Sequence, residues 1–181
     1  PEWLYKNWKS QYGDKGAKKL LEVFQDEPGL DLRIKNKTDY WAKVLEGVKL
    51  GSNTVRVFTK GKIENIKGYK EGKWWVQDIA AQLPVLLMGE LKRKNVLDLC
   101  AAPGGKTLEM LSQGAFVKAI EISKKRSETL LNNVKRIGLS KNLEVEVKDI
   151  VSLKIEATYD IVLLDAPCSG TGTFRKNPDV V

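Results

Sequence analysis

Histidine is missing from all 181 residues, cysteine occurs twice, and no apolar run approaches the ~20 residues that a bilayer span needs. Each shortage removes a class of chemistry. Without histidine, acid–base work and nucleophile activation fall to Asp, Glu, Lys, Tyr or Cys. Cys100 and Cys168 stand 68 positions apart and are too few for a structural zinc site, so no metal is expected. The opening "PEWLYKNWKS" lacks the basic-then-apolar order of a signal peptide, so a cytoplasmic chain with two free thiols and no membrane contact is expected.

What the chain does carry is positive charge, with 31 basic against 23 acidic residues and a net +8. Split after Glu90, each half carries +4, so the excess is spread rather than held in a tail. An even basic excess on a folded chain suggests a polyanionic partner, most often nucleic acid.

Two regions differ in pattern. In 1–75, helical spacing over 3–12 and 16–24 precedes the alternating "LDLRIK", then a helix in "DYWAKVLEGV" with Thr38 as N-cap, then the strand "TVRVFTK". This reads as a small α+β subdomain, either RNA-contacting or a packing unit with a solvated basic face. From 76 to 181, Asp78 caps a helix through Ile79, Leu83 and Leu87, and strands then alternate with helices: "NVLDLCAA", 106–113, "FVKAIE", 123–137, "LEVEVKD" and "YDIVLLD". "IVLL" is apolar on both faces, as a central parallel strand is, and the order is that of a doubly wound α/β sheet.

All four strands end at or near an acid: Asp98, Glu121, Asp149 and Asp165. In open α/β sheets ligands bind beyond these carboxyl ends, at the switch point. The first loop, "DLCAAPGGKT", is neither a Walker loop nor a GxGxxG fingerprint, because Cys100 and Ala102 stand where those need glycine. Its small residues let a backbone approach a ligand without a full phosphate cradle. Glu121 stands where an acid bonds a ribose diol, and Asp149 could accept from an adenine amino group; the alternative is that both are solvated strand-end charges. A nucleoside without phosphates fits S-adenosylmethionine better than NAD or ATP.

"DLCAAPGGKT", "LLDAPCSGTG" and "RKNPDV" together resemble the RNA (cytosine-5)-methyltransferases of the RsmB/Sun and NSUN type, and "PEWLYKNWKSQYG", "LRIKNK" and "GKWWVQDIAAQ" extend the likeness over nearly the whole chain. Glu121 stands where Asp is common, and "KGYKEGKWW" replaces a more usual Leu-Pro-Gly-Phe opening. The resemblance implies a Rossmann-like class I S-adenosylmethionine-dependent fold that makes 5-methylcytosine in RNA, chiefly ribosomal RNA, as a monomer. It implies that Cys100, Ala101, Ala102, Pro103, Gly104, Gly105 and Lys106 hold the methionine part of the cofactor, Glu121 the ribose and Asp149 the adenine. Asp165 would face both cofactor and base, and Arg175 and Lys176 would contact RNA.

Carbon-5 of cytosine is too weak a nucleophile to take a methyl group until a thiolate adds at carbon-6. Cys168, in the turn after Asp165, is a catalytic candidate with Asp165. In the resembled family, however, the attacking thiol belongs to a Thr-Cys pair on the next strand, and the Asp-Ala-Pro-Cys thiol assists product release. The expectation is therefore a sheet lacking its last strands and a piece inactive by itself. Ribose 2′-O-methyltransferases need no such cysteine, and amino-group methyltransferases carry Asn/Asp-Pro-Pro-aromatic there. A non-catalytic RNA-binding module with a retained cofactor site is the alternative.

Overall fold

The computed structural model describes residues 2–25, 28–155, 157–170 and 173. The backbone forms two compact units, Leu30–Ala166 and a second that combines Pro1–Gly29 with Pro167–Val181. Within the second unit, α1 (Glu2–Gln25) is broken at Gly13, whose φ of 71° lies in the left-handed region. The break separates the two helical stretches expected from the sequence. Among the described residues no helix is long and apolar enough to cross a membrane.

The Leu30–Ala166 unit holds two four-stranded sheets. The first contains β1 (Leu30–Ile34), α2 (Thr38–Val44), β2 (Val48–Leu50), β3 (Thr54–Val57) and β4 (Trp74–Val76), all strands antiparallel in the order β2-β3-β1-β4. Two expectations need correction. Lys37, not Thr38, occupies the N-cap position of α2, in a left-handed conformation without a side-chain cap; Thr38 is inside the helix and buried. Strands β2 and β4 escape the sequence pattern because three residues are too few to show alternation.

Strand β4 straddles the 75/76 boundary read from the sequence. Successive strand side chains point to opposite faces, and here Trp74 enters the small core of Leu32, Ile34, Trp41, Val55 and Val57 while Trp75 enters the large one. One short strand thus serves two cores.

The second sheet follows α3 (Ile79–Leu87), which Asp78 caps by accepting from the Ala80 amide at 2.9 Å. It comprises β5 (Asn95–Leu99), α4 (Gly105–Ser112), β6 (Phe116–Glu121), α5 (Lys124–Ile137), β7 (Leu143–Val147) and β8 (Ile161–Leu164). All strands are parallel, in the order β7-β6-β5-β8. This is the Rossmann-like sheet expected, and its switch point lies between β5 and β8.

The two sheets are joined by buried polar groups. Arg33 of β1 donates to Gln82 Oε1 of α3 and lies 3.4 Å from Glu109 Oε1 of α4. Gln77 Nε2 donates to Glu109 Oε2 at 2.7 Å, Trp75 Nε1 to Gln77 Oε1 at 2.8 Å, and Thr54 Oγ1 to Gln82 Oε1 at 3.0 Å. Asp31 grips Arg56 through both oxygens and accepts from the Ile79 amide. Burial raises the Glu109 pKa and lowers that of Arg33, each partly offset by the other's charge. At the far end, Lys35 Nζ donates to the Ile137 carbonyl at the α5 C-terminus, where a cation is favoured. Arg136 stacks 4.0 Å from the Tyr69 ring centroid and donates to the carbonyls of Tyr69 and Trp74. The chain passes so close here that a Cβ on Gly72 would lie 2.1 Å from the Arg136 carbonyl oxygen.

Removing one partner of a buried pair strands the other, which typically costs about 3–5 kcal/mol, whereas replacing both with apolar groups is often neutral. Arg33→Met should therefore lower unfolding free energy by about that amount. The deficit should shrink toward low pH, because a carboxyl with a raised folded pKa opposes folding only once it is ionised. Arg33→Met/Glu109→Leu should recover much of it. Urea midpoints from pH 5 to 8 test this, and a cost below ~1 kcal/mol for the single variant would contradict the role given to the pair.

Candidate functional site

The loop after β5 is held from several sides by the elements that follow it. Cys100 has φ 63°, and the Ala101 amide donates to the Ile120 carbonyl at 3.0 Å. The Ala102 amide donates to Glu121 Oε2 at 3.3 Å, Arg126 donates to the Ala102 carbonyl, and Asn133 Nδ2 to the Pro103 carbonyl at 3.1 Å. Gly104 opens α4 at φ 105°, where an added Cβ would stand 3.2 Å from Leu130 Cγ. Glycine answers both the conformation and the close approach to α5.

The four strand-end acids sit in different environments. Asp98, on β5, is 2% exposed and accepts from Thr107 Oγ1 of α4 at 2.6 Å. Burial pushes its pKa up to about 7, against the Thr107 bond and the Lys106 charge. Asp165, just after β8, is exposed and forms a 2.6 Å ion pair with Lys106 Nζ. Glu121 is 1% exposed: Oε1 accepts from the Ser123 amide at 3.0 Å and lies 3.6 Å from Arg126, while Oε2 accepts from Ala102. Asp149 caps its own turn by accepting from the Val151 amide at 2.9 Å.

A cavity of about 200 Å³ opens at the switch point, lined by Asp98, Cys100, Ala101, Ala102, Pro103, Gly105, Lys106 and Asp165 together with Val76, Gln77, Asp78 and Ala81. The structure therefore brings together six of the seven loop residues named from the sequence, together with Asp165. Gly104, Glu121 and Asp149 do not line it; Glu121 lies under the loop and holds its backbone. Burial raises the Cys100 thiol pKa, with Glu121 adding to the shift, which suits a snug loop residue. Cys168, in the other compact unit, is exposed, and its Sγ accepts from the Gly170 amide at 3.4 Å. Arg175 and Lys176 lie outside the described residues.

In the sequence Asp98 counts among the four acids at the ligand edge without a role of its own, and Gln77 and Asp78 do not stand out as site residues. Asp98 carried a usable signal, because a threonine nine positions later on the first turn of the next helix can reach back to it. Gln77 carried none: its place depends on β4 pairing with β1, where its amide donates to the Asp31 carbonyl at 3.1 Å.

Residues 85–181 match the profile of a family described as 16S rRNA methyltransferase RsmB/F. Across 99% of its length the chain is 31% identical to ribosomal RNA small subunit methyltransferase B of Salmonella arizonae, and it spans 45% of that relative. It superposes on the crystal structure of PH0851 with a TM-score of 0.85 and 28% identity, covering 99% of this chain and 44% of that one. NSun6 from Pyrococcus horikoshii, solved with SFG, gives a TM-score of 0.77 over 94% of this chain and 71% of that one; at 16% identity it shows the fold alone.

Asp98 should govern part of the pH dependence of stability. With a folded pKa of about 7 and an unfolded value near 3.9, its contribution is fully present below about pH 4 and is lost as pH rises through about 7. The loss is of order 4 kcal/mol, at ~1.4 kcal/mol per pKa unit. Asp98→Asn keeps an acceptor for Thr107 and cannot ionise, so it should match the wild type near pH 4 and exceed it at pH 8. Denaturation midpoints that run parallel for the two proteins would refute the buried-acid assignment.

Proposed function

The chain belongs to the 16S rRNA methyltransferase RsmB/F family, and from that premise we propose that the protein transfers a methyl group from S-adenosylmethionine to carbon-5 of a cytosine in ribosomal RNA. The observation that carries the reading is the switch-point cavity, where the Lys106–Asp165 pair and buried Asp98 border a loop of small residues. NSun6, of the same fold, was solved with an S-adenosylmethionine analogue.

The residues fit the cofactor. Two carboxyl groups and one ammonium around a neutral loop suit a ligand with an ammonium and a sulfonium. At about 200 Å³ the cavity is smaller than a typical ligand pocket of ~300–1,000 Å³, so it suits the amino-acid end of the molecule. We assign that end to Cys100, Ala101, Ala102, Pro103, Gly104, Gly105 and Lys106, the ribose to Glu121 and the adenine to Asp149. Glu121 keeps a free lone pair on each oxygen, and a ribose hydroxyl would have to reach one of them at the loop edge.

S-adenosylmethionine, when bound, supplies an electrophilic methyl group. The residues of the chain prepare the acceptor. Asp165 is exposed enough to meet the edge of a flipped-out cytosine, and Lys106 fixes its orientation. Addition of a thiolate at carbon-6 breaks the 5,6 double bond and makes carbon-5 nucleophilic; the ring nitrogen takes a proton from water, and the resulting N–H donates to the Asp165 carboxylate. After carbon-5 has taken the methyl group, loss of its proton and of the carbon-6 thiolate restores the double bond. We assign Cys168 to that elimination and the attack to a Thr-Cys cysteine, a pair that does not occur in these 181 residues.

Two experiments test the assignments in the full-length protein. Glu121→Ala should weaken S-adenosylmethionine binding about 10- to 150-fold by calorimetry, the equivalent of roughly 1.5–3 kcal/mol for a lost charged hydrogen bond; unchanged affinity would remove the ribose role. Cys168→Ala should retain carbon-6 addition and stall release, so that protein–RNA adducts survive denaturing electrophoresis. An adduct-free variant would exchange the roles of the two thiols. Cofactor bound without any turnover by the wild type would instead favour a non-catalytic RNA-binding module.

A further inference from the structure

Strand β3 ends at Val57, and Phe58 directly after it is 72% exposed. One exposed ring is ordinary alone; its surroundings give this one a use. Lys60 and Lys62 are both exposed, and among the described residues neither ammonium has a partner. Two residues before the ring, Arg56 is fixed by Asp31 at 2.6 and 2.9 Å.

The register shows where this group lies. Val57 pairs with Leu30, Val76 pairs with Leu32, and the Gln77 amide bonds the Asp31 carbonyl. Phe58 therefore leaves the sheet at the same end at which Gln77 and Asp78 leave β4 to line the cavity. Strands β3 and β4 flank β1, so two strand spacings put Phe58 about 10 Å to the side of the cavity rim.

We propose that Phe58, Lys60 and Lys62 form a platform for single-stranded RNA beside the target nucleotide, with an unpaired base stacked on the Phe58 ring and the flanking phosphates met by the two lysines. This rests on the RNA methyltransferase reading above. An exposed apolar ring followed two and four positions later by exposed cations matches a ligand that alternates flat bases with phosphates. A duplex keeps its base faces stacked away and would leave the ring unused.

Fluorescence anisotropy of a labelled single-stranded oligoribonucleotide with the full-length protein tests the platform. Phe58→Ala should weaken binding roughly 5- to 100-fold, and Phe58→Trp should keep it. Lys60→Gln/Lys62→Gln should reduce the slope of log affinity against log salt by about 1.4, at ~0.7 per phosphate contact on single strands. In all three variants the melting temperature and S-adenosylmethionine affinity should match the wild type. RNA affinity unchanged in Phe58→Ala overturns the platform, as does an equal loss toward heparin, a polyanion without bases. A wild type that binds cofactor and no RNA overturns the functional reading and the platform with it.

Discussion

The arrangement of the Leu30–Ala166 unit depends on one buried ion pair, Arg33 with Glu109. Two charges withdrawn from water are stable only if each finds enough partners. Arg33 has Gln82 and Glu109; Glu109 has Gln77 and the Arg33 charge. Those groups come from β1, from the segment between β4 and α3, from α3 itself and from the middle of α4. Pairing these charges therefore fixes the small sheet and both helices in one relation.

That relation sets the position of the cavity. Gln77, which holds Glu109 with its side chain, lines the cavity together with Cys100 and Lys106. Helix α4 carries Glu109 on its inner face, Thr107 toward Asp98, and Lys106 toward Asp165. The same eight-residue helix thus ties the polar network to Asp98 and Asp165 at the switch point. A chain with +8 net charge places Asp98 and Asp165 together at this edge, which suits a ligand carrying positive charge there.

Much of this was legible in the sequence because it is written in local patterns. The parallel sheet followed from apolar strands alternating with capped helices, and the loop from its small residues. The Lys106–Asp165 pair joins two motifs that were singled out, although their contact needed the order β6-β5-β8 to bring them together. What stayed hidden depends on pairing between distant segments. Strand β4 is three residues of apparent helix lead-in until β1 pairs with it, and its two tryptophans give no hint of belonging to separate cores. Glu121 stands out in the sequence by its place at a strand end, but that both its oxygens hold backbone amides shows only once β6 lies beside the loop after β5. Residue type and spacing show the carboxylate and not the loop amides above it.

We propose that the segments 76–81 and 100–106, which line the cavity from β4–α3 and from the loop after β5, form one cofactor site assembled across the polar network. Amide hydrogen exchange of the full-length protein with and without S-adenosylmethionine measures this most directly, because exchange reports local opening segment by segment. Cofactor should slow exchange in both segments together. Protection confined to one of them, or falling elsewhere, would contradict it.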